Sequence, residues 1–505
     1  MNRTDHPLSQ LKVIDRLEIG PVRVEPTRLV APYTVIRNGK SDSIDLIYRY
    51  EEPVFDPADP GAQNLADMIA AQVALNYGLF CEEIVFRGSY DGADRQFLIE
   101  MADNTACEIY VKKFLHPNPF LIGEAASIPV IRKESYLQSK LLFPDEESAT
   151  RNPKIGNRKS KIENRKSLSR YLVLSSGGKD SLLSFGLLNE LGCEAHPVFG
   201  NESGRHWFTA LNAYRYFKAN VPNTGRVWMN SDRVFSRMKR HLPFIRPDFA
   251  RLRADMYPIR LWTVAVFLFG ALPLMRKRGL GRLIIGDEYD TTVRENFRGI
   301  AHYDGLYDQS RYFDEALSAY FRQKGWGIRQ FSLLRPLSEL LIEKILVERY
   351  PHLQAQQVSC HAAHKKGERV HPCGRCEKCR RIVGMLKALG ADPARCGYTP
   401  AQITHSLQEL GQKGIHQEEE GFQQLLWMLM EKELINLSAE RKTALAPHPE
   451  VLHLRFHPEK SPPETIPEDL RTRLHRLYLE HARGALRFDG RGWSEFDPVG
   501  GAHSH

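Results

Sequence analysis

Apolar positions along the chain follow three patterns in succession. Over residues 1–150 they come in short runs rich in β-branched and aromatic side chains, at 12–19, 34–37, 44–50 and 82–87. Turn signals at Gly39-Lys40 and Asp59-Pro60-Gly61 separate them, so each run predicts a strand. Runs at 97–101 and 107–114 predict further strands. One stretch, 64–77, carries Leu65, Met68, Ile69, Val73 and Leu75 at helical spacing. The expectation for 1–150 is a separate, strand-rich accessory domain with a structural or partner-binding role.

From 171 to 396 the pattern changes to strand alternating with helix, which predicts a parallel sheet covered by helices. The apolar run 171–174 leads into Ser176-Gly177-Gly178-Lys179-Asp180-Ser181, and Leu182, Leu183, Phe185, Leu187 and Leu188 then open a helical face. Further strands are predicted at 194–199, 226–229 and 282–285, with a helix carrying Trp207, Leu211, Tyr214 and Phe217 and a buried helix at 261–275. Beyond 397 the spacing predicts a helical C-terminal extension. It has helices at 422–435 and 469–483, a Pro-rich connector at 459–467 and Gly484 placed to end the last helix. Between the first two regions lies 151–170. There Lys154-Ile-Gly-Asn-Arg-Lys-Ser160 is followed by Lys161-Ile-Glu-Asn-Arg-Lys-Ser167, a basic tandem repeat that predicts a solvated linker.

Composition fits a globular chain of two to four domains, at 505 residues with 42% hydrophobic and 26% charged. The apolar run 261–275 is too short for a membrane span and contains Gly270 and Pro273. The first ten residues are polar, so the sequence predicts no secretory signal and a cytoplasmic chain. A net charge of +9 suits nucleotide phosphates, an acidic partner or nucleic acid. The basic residues are spread along the chain, however, with concentrations at 151–170 and 233–253, as on a solvated face. Nucleic acid stays open as a partner.

Two motifs carry chemistry. Strand, glycine turn and helix make an anion site, because glycines let the backbone approach a phosphate and the helix start presents free N–H groups. The turn is not a Walker A loop, since Asp180 follows Lys179 and Val173 stands where that loop needs its first glycine. Ligands of open parallel sheets bind beyond the carboxyl ends of the strands, which groups this turn with the loops at Arg205-His206 and at Asp287 to Asp290. The second motif is Cys360 with Cys373, Cys376 and Cys379. Four thiolates at this spacing suit a closed tetrahedral site, with zinc (Zn2+) the default metal and an iron–sulfur cluster the alternative. A closed site leaves no position for substrate and is structural. Cys193 and Cys396 read as ordinary buried cysteines.

Ser176 to Ser181 resembles the pyrophosphate loop of the N-type ATP pyrophosphatases, which share the adenine nucleotide alpha hydrolase-like (PP-loop) fold. With the cysteines placed, region 171–390 resembles the 7-cyano-7-deazaguanine synthase (QueC) family. Gly204-Arg205-His206, Tyr257-Pro258-Ile259-Arg260, Gly286 to Asp290, Tyr307-Asp308, the Ser359-Cys360 to Cys379 loop and Arg380-Arg381 are similar, in order, to that family's segments. Departures are also plain. The family's tyrosine and glutamine ahead of Arg205 are missing, leucine follows Arg260, and about sixteen residues, 291–306, precede Tyr307.

The resemblance implies an ATP-dependent, AMP-forming C–N ligase that adenylates a 7-deazaguanine carboxylic acid and passes it to an amine. It implies ATP and Mg2+ at Ser176, Gly177, Gly178, Lys179, Asp180 and Ser181. Lys179, Asp180 and Arg260 become the catalytic candidates. Arg205, His206, Asp287, Asp290, Tyr307 and Asp308 become the substrate contacts. Two acceptors stay open, ammonia and a protein amine. Longer relatives found in bacterial antiviral operons couple a deazaguanine to a partner protein's N-terminal amine. A homodimer also stays open. The alternatives are a tRNA-modifying pyrophosphatase such as a thiolase, with Cys193 as its thiol, and a nucleotide-binding scaffold without turnover.

Overall fold

The strand runs of the first two regions join one eleven-stranded sheet. In the computed structural model the described residues are 7–56, 58–143, 169–204, 207–252, 257–303, 306–360 and 362–500. The N-terminal strands are β1 (Ile14–Ile19), β2 (Arg23–Glu25), β3 (Arg28–Arg37), β4 (Lys40–Tyr50), β5 (Cys81–Phe86) and β6 (Lys140–Leu142). Those that follow are β7 (Arg170–Ser175), β8 (Glu194–Glu202), β9 (Gly225–Met229) and β10 (Arg282–Ile284). A hairpin of β11 (Arg294–Phe297) and β12 (Ile300–Tyr303) intervenes before β13 (Arg329–Phe331). The order across the sheet is β13-β10-β7-β8-β9-β4-β3-β1-β5-β6, with β2 on β3. The five strands from β13 to β9 run parallel, β9 to β1 alternate, and β1, β5 and β6 run parallel again.

The N-terminal strands therefore do not close a sheet of their own. The long β3–β4 hairpin turns through Asn38 and Gly39, both at positive φ, which is the turn chemistry of a tight hairpin. It delivers β4 antiparallel to β9, with Tyr48 opposite Met229. The Asn230 side chain stitches the join, accepting from the N–H of Ile47 at 2.7 Å and donating to the carbonyl of Asp45 at 2.9 Å. One apolar cluster runs from Leu8 through Phe269 to Phe321.

The helices covering the first part of the sheet are α1 (Pro60–Ala71), α2 (Gly92–Ile109), α3 (Lys179–Glu190), α4 (Trp207–Asn220), α5 (Ser231–Lys239) and α6 (Val264–Arg278). Then come α7 (Arg311–Gln323), α8 (Glu339–Arg349) and the short α9 (Pro351–Gln354). The strands expected at 97–101 and 107–114 are instead α2 and a π-helical turn, Tyr110–Leu115. A reciprocal capping box between Asp91 and Asp94 starts α2, and Phe97, Leu98, Met101, Ala102 and Ile109 are buried at helical rather than alternating spacing. Of the linker expected at 151–170, residues 151–168 lie outside the described residues and Arg170 already belongs to β7; Arg205 and His206 also lie outside them.

The C-terminal region is not purely helical. A hairpin of β14 (His364–Lys366) and β15 (Arg369–His371) precedes α10 (Glu377–Ala388), α11 (Pro400–Gln412), α12 (Glu419–Glu431) and α13 (Ala439–Ala444). A three-stranded sheet then forms from β16 (Leu454–Phe456), β17 (Ala485–Phe488) and β18 (Trp493–Glu495), with α14 (Glu468–Leu479) inserted. It shares an apolar cluster with α3 and α8. Arg282 of β10 forms a two-pronged ion pair with Asp469 at the start of α14, at 2.7 and 2.8 Å. Among the described residues, no helix is long and apolar enough to cross a membrane.

Candidate active site and metal centre

The turn after β7 opens α3 at the carboxyl edge of the parallel strands, between the ends of β8 and β10. Gly177 has φ +74°, and a Cβ there would lie 2.8 Å from the Cα of Ala210 in α4, so only glycine fits. Gly178 is the N-cap, and no side chain caps the helix. The first N–H groups of α3 thus have no intrahelical acceptor and face the edge. Ser175 and Ser181 brace the turn from behind: the Ser181 hydroxyl donates to the carbonyl of Gly178 at 3.1 Å, and the Gly177 N–H donates to Ser175 Oγ at 3.3 Å. The end of β10 approaches so closely that a Cβ on Gly286 would be 2.6 Å from Asp180 Cβ.

Lys179 does not reach into open space. Its Nζ lies 2.6 Å from Asp180 Oδ1, 2.9 Å from Glu288 Oε2 and 3.2 Å from Glu339 Oε1, and the side chain is buried. An ammonium has three donors, and these three carboxylates take them all. Burial opposes the charged form, but Asp180, Glu288 and Glu339 outweigh it and hold the ammonium well above the usual lysine range. Arg381 joins the network through Glu339 at 3.4 Å. Burial raises Glu288 well above the carboxylate range, against the pull of Lys179. Burial works on Glu339 too, but Arg381 and Lys179 bring it below that range.

Three adjoining cavities surround this network. One of 250 Å³ lies over the strand ends, between Ser176, Gly200, Thr209, Phe267 and Gly286. A second, of 280 Å³, lies between Gly178, Asp180, Ser359, Cys360, Lys378 and Arg381. Both touch Ser176, Asp180 and Thr209. A cleft of 1290 Å³ continues past Lys378 and Arg381 to the C-terminal region, where Glu418, Arg455, His457 and Trp493 form its far wall. With Lys179 fully paired, Lys378 and Arg381 are the cations lining both the second cavity and the cleft.

The other expected site residues separate by role. Asp290 lines the cleft, and burial, with Glu418 and Glu339 nearby, pushes its carboxyl up to about 6. Asp287 is buried behind the edge, 3.4 Å from the fully buried Arg335, which also binds Asp314 at 2.6 Å and the Thr291 hydroxyl at 2.7 Å. Burial raises the Asp287 carboxyl well above its usual range. These contacts tie the loop after β10 to α7. Asp308 Oδ2 accepts from the N–H groups of Thr263 and Ala265 at 2.9 and 3.1 Å, so its carboxylate caps the buried helix α6. Tyr307 packs edge-on against Tyr303 and Phe313, beside Asp308. Arg260 lies in a neighbouring cavity of 430 Å³, paired with Glu202 at 3.1 Å. Cys193 precedes β8, at the sheet edge opposite the glycine turn, and burial raises its thiol.

Sequence reading did not single out Glu339, Lys378, Arg335 or Glu202. Ser338, which caps α8 by accepting from the Leu341 N–H, marked a helix start, but only the packing of α8 against α3 brings Glu339 to Lys179.

The four cysteines do converge. Their sulfurs all lie within 4.8 Å of one another, with Cys376 3.5 Å from Cys379 and 3.9 Å from Cys360. A tetrahedral zinc thiolate with bonds of about 2.3 Å has sulfur–sulfur edges of about 3.8 Å, so the set fits a metal such as zinc. Backbone N–H groups of Cys373 and Ala362 point at Cys360 Sγ from 3.2 and 3.3 Å, as in a metal knuckle. Gly374, at φ +69°, lets α11 lie across the knuckle, since a Cβ there would meet Gln402 Cγ at 2.4 Å. The four-cysteine cluster borders the second cavity, whose wall includes Ser359 and Cys360. Comparison with known protein families and with curated proteins returned no match.

Proposed function

We propose that this edge is the active site of an ATP-dependent, AMP-forming C–N ligase acting on a 7-deazaguanine carboxylic acid. The observation that carries the reading is the uncapped start of α3, opening on two cavities beside a buried charge network, with a larger cleft adjoining them at Lys378 and Arg381. The two smaller cavities and the adjoining cleft leave room for a nucleotide and an acceptor amine. The resemblance of Ser176 to Ser181 and of the four-cysteine loop to deazaguanine synthases supplies the acid.

A free carboxylate is a poor acyl donor because its leaving group would be oxide. A carboxylate oxygen therefore attacks the α-phosphorus, and the bond to the bridging oxygen of pyrophosphate breaks. The amine then attacks the carbonyl carbon and AMP leaves with the carboxylate oxygen. The backbone N–H groups at the start of α3 hold the departing phosphates. Lys378 and Arg381 neutralise them from the opposite wall. Lys179 keeps Asp180, Glu288 and Glu339 in place rather than binding phosphate itself. Asp180, 29% exposed at the mouth of both smaller cavities, is the residue placed to hold Mg2+, which supplies charge neutralisation when bound with ATP. Zn2+ held by Cys360, Cys373, Cys376 and Cys379 would serve structure, because four thiolates leave it no open position.

A thiolase needs a reactive thiol at the loop, and Cys193 is at the opposite edge, which favours the ligase. Metal-loaded protein given ATP, Mg2+ and 7-carboxy-7-deazaguanine should release AMP and pyrophosphate in proportion to the acid. Absence of acid-dependent AMP from protein that retains its metal would refute the assignment. Run with ammonium and with candidate protein acceptors, the assay also identifies the amine.

A further inference from the structure

The cavity beside Arg260 has chemistry that the glycine turn does not use. Glu202, the last residue of β8, is 2% exposed and lines both this cavity and the one over the strand ends. Its Oε1 accepts from the Ser231 hydroxyl at 2.7 Å and from Arg260 at 3.1 Å, which fills that oxygen. Among the described residues, Oε2 is buried without a hydrogen-bond partner. A desolvated carboxylate oxygen left this way is costly, so the site has room for one more donor. Arg260 is held beside it: its Nε donates to the Thr263 hydroxyl at 3.0 Å, and its guanidinium lies 4.5 Å from the Phe235 ring centre and 4.8 Å from that of Tyr257. Tyr77, Phe120 and Phe249 supply flat apolar walls. At 430 Å³ the cavity is in the size range of small-molecule sites.

We propose that this cavity holds the deazaguanine ring and that Glu202 reads it, accepting from the ring N–H and 2-amino group while Arg260 donates to the neighbouring oxo group. The pair presents an acceptor beside a donor, which complements an amino-oxo pyrimidine edge. Because Glu202 forms part of both cavities, a ring bound here extends toward the nucleotide. This rests on the ligase reading for the identity of the acid and adds the residues that choose it.

The test is calorimetric titration of wild type and Glu202→Gln with three probes: 7-carboxy-7-deazaguanine, its analogue without the 2-amino group, and ATP. The carboxamide keeps the shape but puts a donor where Oε2 was. Wild type should prefer the acid to the analogue by about 10- to 100-fold. Glu202→Gln should lose that preference while keeping the wild-type thermal unfolding midpoint, which reports that it folds. Equal binding of acid and analogue by wild type overturns the proposal without any variant. So does a preference that survives in Glu202→Gln, or a variant that loses ATP while keeping the acid, which would make the adenine amino group the donor. If wild type prefers the acid but releases no AMP with it, the ring site stands and the ligase reading falls. If it binds neither acid nor analogue, both fall.

Discussion

At the scale of single residues, Lys179 and Gly286 carry opposite kinds of constraint. Lys179 is the shared partner of three carboxylates in a buried setting, so its removal leaves like charges facing one another. Lys179→Met is expected to cost about 3–5 kcal/mol in chemical denaturation, the range for breaking one side of a buried charge cluster. Gly286 is constrained by space. A methyl group there must displace Asp180, whose backbone carbon would be 2.8 Å away. Gly286→Ala is expected to cost about 1–3 kcal/mol and to weaken nucleotide binding, measured by titration with a non-hydrolysable ATP analogue. The glycine turn and the four cysteines were legible as candidate sites because their chemistry is written in consecutive or regularly clustered residues. Glu202 and Glu339 were not, because their meaning depends on which buried atom lacks a partner and which helix packs opposite.

At the scale of elements, α14 shows how a helix of the C-terminal region is held. Leu470, Leu474 and Tyr478 are buried in the cluster shared with α3 and α8, and the Tyr478 hydroxyl donates to the carbonyl of Leu333 at 2.9 Å. His475 is buried among them, its ring edge-on to Phe456. Burial lowers its pKa to about 4, and the native state therefore resists a proton that the unfolded chain takes up near 6.5. The linked stability is full above pH 6.5 and is lost as pH falls toward 4, by up to about 3 kcal/mol. His475→Phe should flatten that part of the pH profile, read as the difference between urea unfolding at pH 7.5 and at pH 5. Helix α14 itself was visible in the apolar spacing. The misread element was α2, where aromatic and β-branched residues imitated strands. Its start was nevertheless encoded, because Asp91 and Asp94 form the capping box. Strand β10 was visible within the run 282–285, but the three-residue strands β13 and β16 are too short for periodicity to declare, and their neighbours define them.

At the scale of the whole molecule, the regions expected to stand apart are built onto the central sheet and its carboxyl edge. β4 extends the central sheet through a pairing of residues about 180 positions apart, Tyr48 with Met229, which no local pattern announces. The C-terminal region supplies the far wall of the cleft. Arg455 lies over Tyr289 at 3.8 Å from the ring centre and forms a two-pronged pair with Glu418 at 2.8 and 2.6 Å, joining β16 and the start of α12 to the loop after β10. Across the sheet, the cavity of Glu202 and Arg260 draws walls from Tyr77 and Phe120 of the N-terminal region. Both flanking regions thus shape what the edge can receive, as the proposed adenylation would require. The central claim concerns one oxygen atom. With the acid labelled with 18O in its carboxylate, the account predicts AMP carrying one labelled oxygen for each acyl group transferred. Unlabelled AMP, or ADP and phosphate in its place, would contradict adenylation at this site.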